Sequence, residues 1–170
     1  MPKAIKTYVR YVDALNRVVG RAAMYLIFVM IGILLLSSVS RTFFSVSYIW
    51  IVEIAQFVMT AYYLLGGGYS MQLESHVRMD LFYSRWSPKT RAMVDAVTVL
   101  FLIFYLGVLL FGGISSTEYA LQYGQKNYSA WAPPLAPIKI IMTIGIVLML
   151  LQAIATLFKD LAKAKGEPIT

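Results

Sequence analysis

Four uninterrupted runs without a formal charge constrain this chain more than any other feature: Ala22–Ser40, Ile54–Leu73, Ala96–Thr117 and Ile140–Phe158. They are 19, 20, 22 and 19 residues long. A helix rises about 1.5 Å per residue, so about 20 apolar residues cross a hydrocarbon core of roughly 30 Å. The balance of the whole chain agrees, because 59% hydrophobic against 14% charged over 170 residues is not the composition of a soluble domain. The longest stretches between runs, Glu74–Asp95 and Glu118–Lys139, are 22 residues each and too short to fold separately. The expectation is one all-α integral membrane domain over residues 1–170, with spans near 22–40, 51–71, 92–115 and 138–158.

The net charge of +7 would suggest nucleic acid in a soluble protein. Its distribution points elsewhere. Twelve of the 15 Lys and Arg fall in the N-terminal segment, the middle loop and the C-terminus, leaving only Arg41, Lys126 and Lys139 on the other side. Basic residues are retained on the cytoplasmic side, so both termini and the middle loop are predicted to be cytoplasmic. No nucleic-acid partner is expected. The chain has no cysteine and one histidine, His76, which excludes thiolate chemistry, bis-histidine haem ligation and His-rich metal clusters. No cofactor or metal is expected.

Residues 1–21 read as a basic amphipathic helix lying at the membrane surface. Lys6, Arg10, Asp13, Arg17 and Arg21 recur at four- and three-residue steps, and Ile5, Tyr8, Val9, Val12, Leu15 and Val19 fall largely opposite. Such a helix attracts anionic headgroups and buries its apolar side among acyl chains, making membrane lipids a partner. The first span reads as retained, since its n-region is long and Ser38-Val39-Ser40 is a poor cleavage site. The short loop after it carries Phe43, Phe44 and Tyr48, which with Trp50 form an interfacial aromatic belt.

The second span is the least lipid-like. Glu53, Gln56, Thr60, Tyr63 and Gly67 follow at steps of three and four, placing them on one side of a helix. A polar, small stripe marks a face that packs on protein, because lipid cannot satisfy it. Gly66-Gly67-Gly68 admits a close neighbour or loosens the helix. Glu53 is an intramembrane acid and so a functional candidate. It lies only about 4.5 Å deeper than Trp50, however, which favours an ion pair or partner contact at the outer rim over an ion pathway. Lys139, entering the membrane on the same side, is its first candidate partner, with Arg41 second. At the other end the chain alternates Glu74, His76, Arg78 and Asp80.

Ser87-Pro88 reads as an N-cap followed by a first-turn proline, so the third long helix is predicted to start in the cytoplasm, near Pro88. Gly124 is its predicted C-cap. Arg91 and Asp95, one turn apart, can pair at the point of entry. Gly112, Gly113, Ser116 and Thr117 give small-xxx-small spacing, and Gly145, Gln152 and Thr156 share the inward face of the last helix.

Enzymatic chemistry is excluded by absence: there is no nucleophile–base–orienter set and no paired carboxylates within a span. Trp50-x-x-Glu53, Gly66-Gly67-Gly68, His76-Val-Arg78-Met-Asp80, the proline-containing outer loop and Pro137-Ile-Lys139 occur in an order and spacing that resembles the small, DctQ-like membrane subunit of tripartite ATP-independent periplasmic (TRAP) transporters. The resemblance covers nearly the whole chain. It implies a multi-pass protein of the bacterial inner membrane and an auxiliary scaffold in a sodium-coupled transporter. A large multi-span permease subunit would carry the substrate and ion sites. A periplasmic substrate-binding protein would deliver organic acids. By position, Trp50 and Glu53 would contact or orient a partner near the outer face, and His76, Arg78 and Asp80 would organise the cytoplasmic end. The competing reading is a self-sufficient four-span proton-coupled exporter acting as a dimer through Glu53. An assembly or signalling bundle without transport is a third.

Overall fold

The computed structural model describes residues 2–74 and 80–167, with Asp80 described by its backbone alone. His76 and Arg78 lie outside the described residues. The chain forms five helices among these: α1 (Lys3–Phe44), α2 (Ile51–Gln72), the short α3 (Asp80–Tyr83), α4 (Pro88–Tyr123) and α5 (Ala136–Ala164). All but α3 are long and apolar enough to cross a membrane. The only strand-like pairing among the described residues is an isolated bridge between Lys126 and Pro134.

The limits of the helices follow from local chemistry. Ser87 Oγ accepts the Thr90 amide at 3.3 Å and Pro88 opens α4, where its missing N–H costs nothing. Gly124 closes that helix in the left-handed conformation at φ 55°. The three consecutive glycines do not interrupt α2, because each is held between helical neighbours and two are covered by other helices. The outer loop after α4 is tied by Asn127 N donating to Pro133 O at 2.9 Å and Leu135 N to Gln125 O at 3.0 Å.

The lead-in is not a separate element. Residues 3–44 form one helix of 42 residues, about 63 Å at 1.5 Å per residue, twice a bilayer core. Its basic side chains Lys6, Arg10, Arg17 and Arg21 are exposed. Its apolar side is covered by protein in part: Val9 and Val12 are buried against Ala155 of α5, with Tyr8 edge-on to Phe158 at 6.1 Å, while Leu15 is exposed. The amphipathic pattern is satisfied by an antiparallel helix, and periodicity by itself does not distinguish that from acyl chains.

Side-chain contacts give the order of the bundle. Leu64 meets Gly145 and Gly67 meets Met149, so α2 and α5 run parallel. Val12 against Ala155 and Asn16 against Gln152 set α1 antiparallel to α5. Gly113 against Ile146 and Thr117 against Thr143 and Lys139 set α4 antiparallel to it as well. The N-terminal part of α1 and the C-terminal part of α5 therefore share one end of the bundle. Helices α2 and α5 form its middle: 28% and 33% of their most apolar stretches are buried, against 6% for α1 and 11% for α4.

Close approach depends on specific glycines. A Cβ on Gly20 would stand 2.3 Å from Tyr69 Cβ, and one on Gly145 would stand 2.9 Å from the backbone of Leu64. Neither obstacle can rotate away, so α1–α2 and α2–α5 pack at distances that only hydrogen permits.

Candidate functional site

Two polar features sit inside this apolar bundle, one near each end. The first joins α1 to α5. Asn16, fully buried, donates from Nδ2 to Gln152 Oε1 at 2.9 Å and to the Val12 carbonyl at 3.2 Å. Gln152, also fully buried, donates from Nε2 to Asp13 Oδ1 at 2.9 Å, and Lys159 Nζ donates to Asp13 Oδ2 at 2.5 Å. Tyr8 extends the seam by donating to the Leu151 carbonyl at 3.1 Å. Asn16 Oδ1 has no hydrogen-bond partner and faces Gly68, where a Cβ would come within 2.3 Å. All three helices meet at this joint. The spacing puts Gln152 on the inward face of α5, where the structure has it, but sets Asp13 among the exposed basic residues of α1, whereas its side chain bonds to α5. The partners are more than 130 residues apart, beyond the reach of local periodicity.

The second feature is Glu53. It is 7% exposed, and Oε2 has no hydrogen-bond partner. It stands in the first turn of α2, where the partial positive charge of the helix end favours a carboxylate. The expected pair with Lys139 is not among the ion pairs of the described residues. Lys139 Nζ instead donates to Gln125 Oε1 at 2.6 Å and to the Ser116 carbonyl at 3.3 Å, bracing the outer loop against α4. Arg41, the second candidate, is exposed at the end of α1 and makes no ion pair with Glu53 either. Sharing a membrane level was not enough, since Lys139 points towards α4 and Glu53 sits on α2.

The polar stripe of α2 divides. Gly67 is occupied within the chain, a Cβ there meeting Met149 Sδ at 2.7 Å. Gln56 and Tyr63 are exposed and Thr60 is half-buried, its hydroxyl turned back onto the Gln56 carbonyl at 2.9 Å. Trp50 is half-buried at the head of the helix, its ring 5.9 Å from that of Tyr48. Beside the stripe lies a groove of about 480 Å³ lined by residues that include Met24, Tyr63, Gly66, Tyr69 and Met149. A Cβ on Gly66 would meet nothing within 4 Å.

At the opposite end the described residues hold the start of α4 in place. Arg91 donates to the carbonyls of Ser84 at 2.9 Å and Trp86 at 3.0 Å while lying over the Tyr83 ring, and Tyr83 donates to Asp95. Lys163 stands 3.7 Å from Glu74. Asp80 opens α3. No group of acids and histidines able to hold a metal ion occurs among the described residues. What the arrangement can do chemically is pack: it offers a polar face, a groove and an unsatisfied acid.

Comparison with curated proteins finds no match. The family model for the DctQ component of tripartite ATP-independent periplasmic transporters matches residues 30–163, from the middle of α1 to the end of α5. Components of that family work with a large permease and a periplasmic binding protein, and they are transporter parts rather than enzymes. A match over that much of the chain, on four helices of membrane-crossing length, shows that this protein belongs to the DctQ family as a small, multi-pass inner-membrane component of a tripartite ATP-independent periplasmic transporter.

Proposed function

We propose that this chain is the scaffold of its transporter: it braces the large permease and carries no substrate itself, in a sodium-coupled system taking up organic acids delivered by the binding protein. The observation that carries the reading is the face of α2, a helix of membrane-crossing length, which carries exposed Gln56 and Tyr63 and half-buried Thr60 and on which Tyr63 also lines an open groove. Lipid leaves such a face unsatisfied, whereas a neighbouring protein helix covers it. Family membership makes the large permease the neighbour of choice. On this reading the one end of the bundle that carries both termini is cytoplasmic, a reading supported by the excess of Lys and Arg there. The exposed basic side chains of α1 then meet anionic headgroups, and His76, Arg78 and Asp80 organise the cytoplasmic end of the scaffold. The exporter alternative would use Glu53 as a carrier, but that acid stands in the first turn of α2, away from the middle of the membrane.

The test is a photoreactive residue in place of Tyr63, introduced in cells that express the whole transporter. The expected product is a crosslink to the large permease. A crosslink to a second copy of this chain, with uptake surviving deletion of the permease, favours the exporter and overturns the scaffold. Because the chain has no cysteine, single introduced cysteines near residues 3 and 167 also test orientation: both should react only with reagents that reach the cytoplasm.

A further inference from the structure

The geometry points to Glu53 as the acceptor half of an intersubunit ion pair, which we propose is completed by an arginine or lysine of the large permease at the outer end of α2. This rests on the scaffold reading above and adds to it the chemistry of one contact. Glu53 as a residue is 7% exposed, and its buried carboxylate oxygen Oε2 has no donor. An ionised group so placed is costly unless hydrogen-bonded or paired. The end of a helix lowers that cost but supplies no hydrogen bond. The chain has three cations on this side of the bundle, and none answers: Lys139 is engaged by Gln125 and Ser116, and Arg41 and Lys126 are exposed.

The surroundings say from which side a donor comes. Val52, Gln56 and Ile49 around Glu53 are exposed, and Gln56 lies one turn further along α2. A side chain three residues away on a helix is a direct neighbour. A guanidinium or ammonium arriving over that face therefore meets a carboxylate and an amide oxygen together. The negative charge is shared by both carboxylate oxygens, so a cation that reaches the oxygen not sealed in the fold answers the charge of the whole group. A donor of positive charge fits this pair of acceptors better than any neutral one, since charge-assisted bonds are roughly twice as strong.

The experiment uses the assembled transporter and the isolated chain side by side. The variants are Glu53→Gln and Glu53→Asp, with a photoreactive residue at Gln56 in a separate chain. Replacing Glu53 by glutamine should weaken retention of the permease at least about tenfold, as loss of one partner in a buried charge pair does. The aspartate, which keeps the charge, should lose less. The isolated Glu53→Gln chain should hold or raise its melting temperature, by about 2–4 °C for each kcal/mol of relief in a chain of this size. A residue that only supports its own fold would lower it. Two results overturn the ion pair while leaving the scaffold reading intact: a Gln56 crosslink to the permease with Glu53→Gln binding as wild type, or an isolated Glu53→Gln chain that melts lower. A Gln56 crosslink to a second copy, or to no protein, overturns both.

Discussion

Asp13 and Glu53 are acids drawn into the same apolar bundle and treated in opposite ways. Asp13 accepts from Gln152 and Lys159 on one helix, and Gln152 in turn holds Asn16, so one carboxylate is answered several times over inside the chain. Glu53 is more deeply covered and has an oxygen with no partner at all. A chain that satisfies one acid so fully has no general difficulty in burying acids. The difference lies in what each end of the bundle is for. The joint around Asp13 answers both oxygens of its carboxylate within the chain, although Asn16 Oδ1 beside it has no partner, and it fixes α1 against α2 and α5. The outer end of α2 is a fitting whose other half lies on another protein.

The strongest way to break that comparison is to attack the joint at its closest approach. Gly20→Ala puts a methyl 2.3 Å from Tyr69 Cβ, an atom that no side-chain rotation moves, and 2.5 Å from its Cγ. The helices must separate, which costs about 3 kcal/mol or more. The detergent-solubilised chain should melt lower by about 6–12 °C at 2–4 °C per kcal/mol. Unchanged melting would mean that the α1–α2 contact contributes little, and the joint would lose its standing as the finished end.

Next in size come the polar groups themselves. Gln152→Leu removes the acceptor of Asn16 and one donor to Asp13 while keeping the volume, and leaves buried groups unpaired at a cost of about 1–3 kcal/mol. Lys159→Met leaves Asp13 with its Gln152 contact, and because this pair is partly solvated the loss should be nearer about 1 kcal/mol. Thermal melting of the two single variants and the double variant gives their coupling. Additive effects would show that the residues act separately, and the contrast with Glu53 would be reduced to one hydrogen bond.

How much of this could be read from the residues alone follows from the range of each interaction. Four helices of membrane-crossing length, the start of α4 at Ser87-Pro88 and its end at Gly124 depend on neighbours within one or two turns, and these appear in the structure. The fate of residues 3–21 does not: Val9 and Val12 announce an apolar side, but whether Ala155 or an acyl chain covers it is decided by a helix more than 140 residues away. The mistaken pairing of Glu53 with Lys139 has the same origin. Composition and topology give depth in the membrane, whereas an ion pair also needs the right direction around two helix axes. A signal for the joint was present in part, since Asp13 is the lone acid among the basic residues of the lead-in and Asn16 follows one turn later. A buried asparagine and a mid-helix glutamine each require a partner, but many partners would have served.

The smallest effect separates the two ends most cleanly. Gly66, Gly67 and Gly68 are chemically identical neighbours, and the fold uses them differently: Asn16 presses on Gly68, Met149 on Gly67, and nothing lies within 4 Å of a Cβ on Gly66. In the isolated chain Gly66→Ala therefore adds a methyl to open space and removes a residue poorly suited to a helix interior, raising stability by at most about 1 kcal/mol. If lipid fills the groove in the transporter, the same gain should persist there, because acyl chains adjust to a methyl. If a helix of the permease lies across Gly66, the methyl meets packed atoms, and the gain should vanish or reverse in the assembled complex. Melting of the chain alone and retention of the permease, measured on the same variant, separate these cases. Equal gains in both would leave the groove to lipid and confine the subunit contact to the outer end of α2, around Glu53 and Gln56.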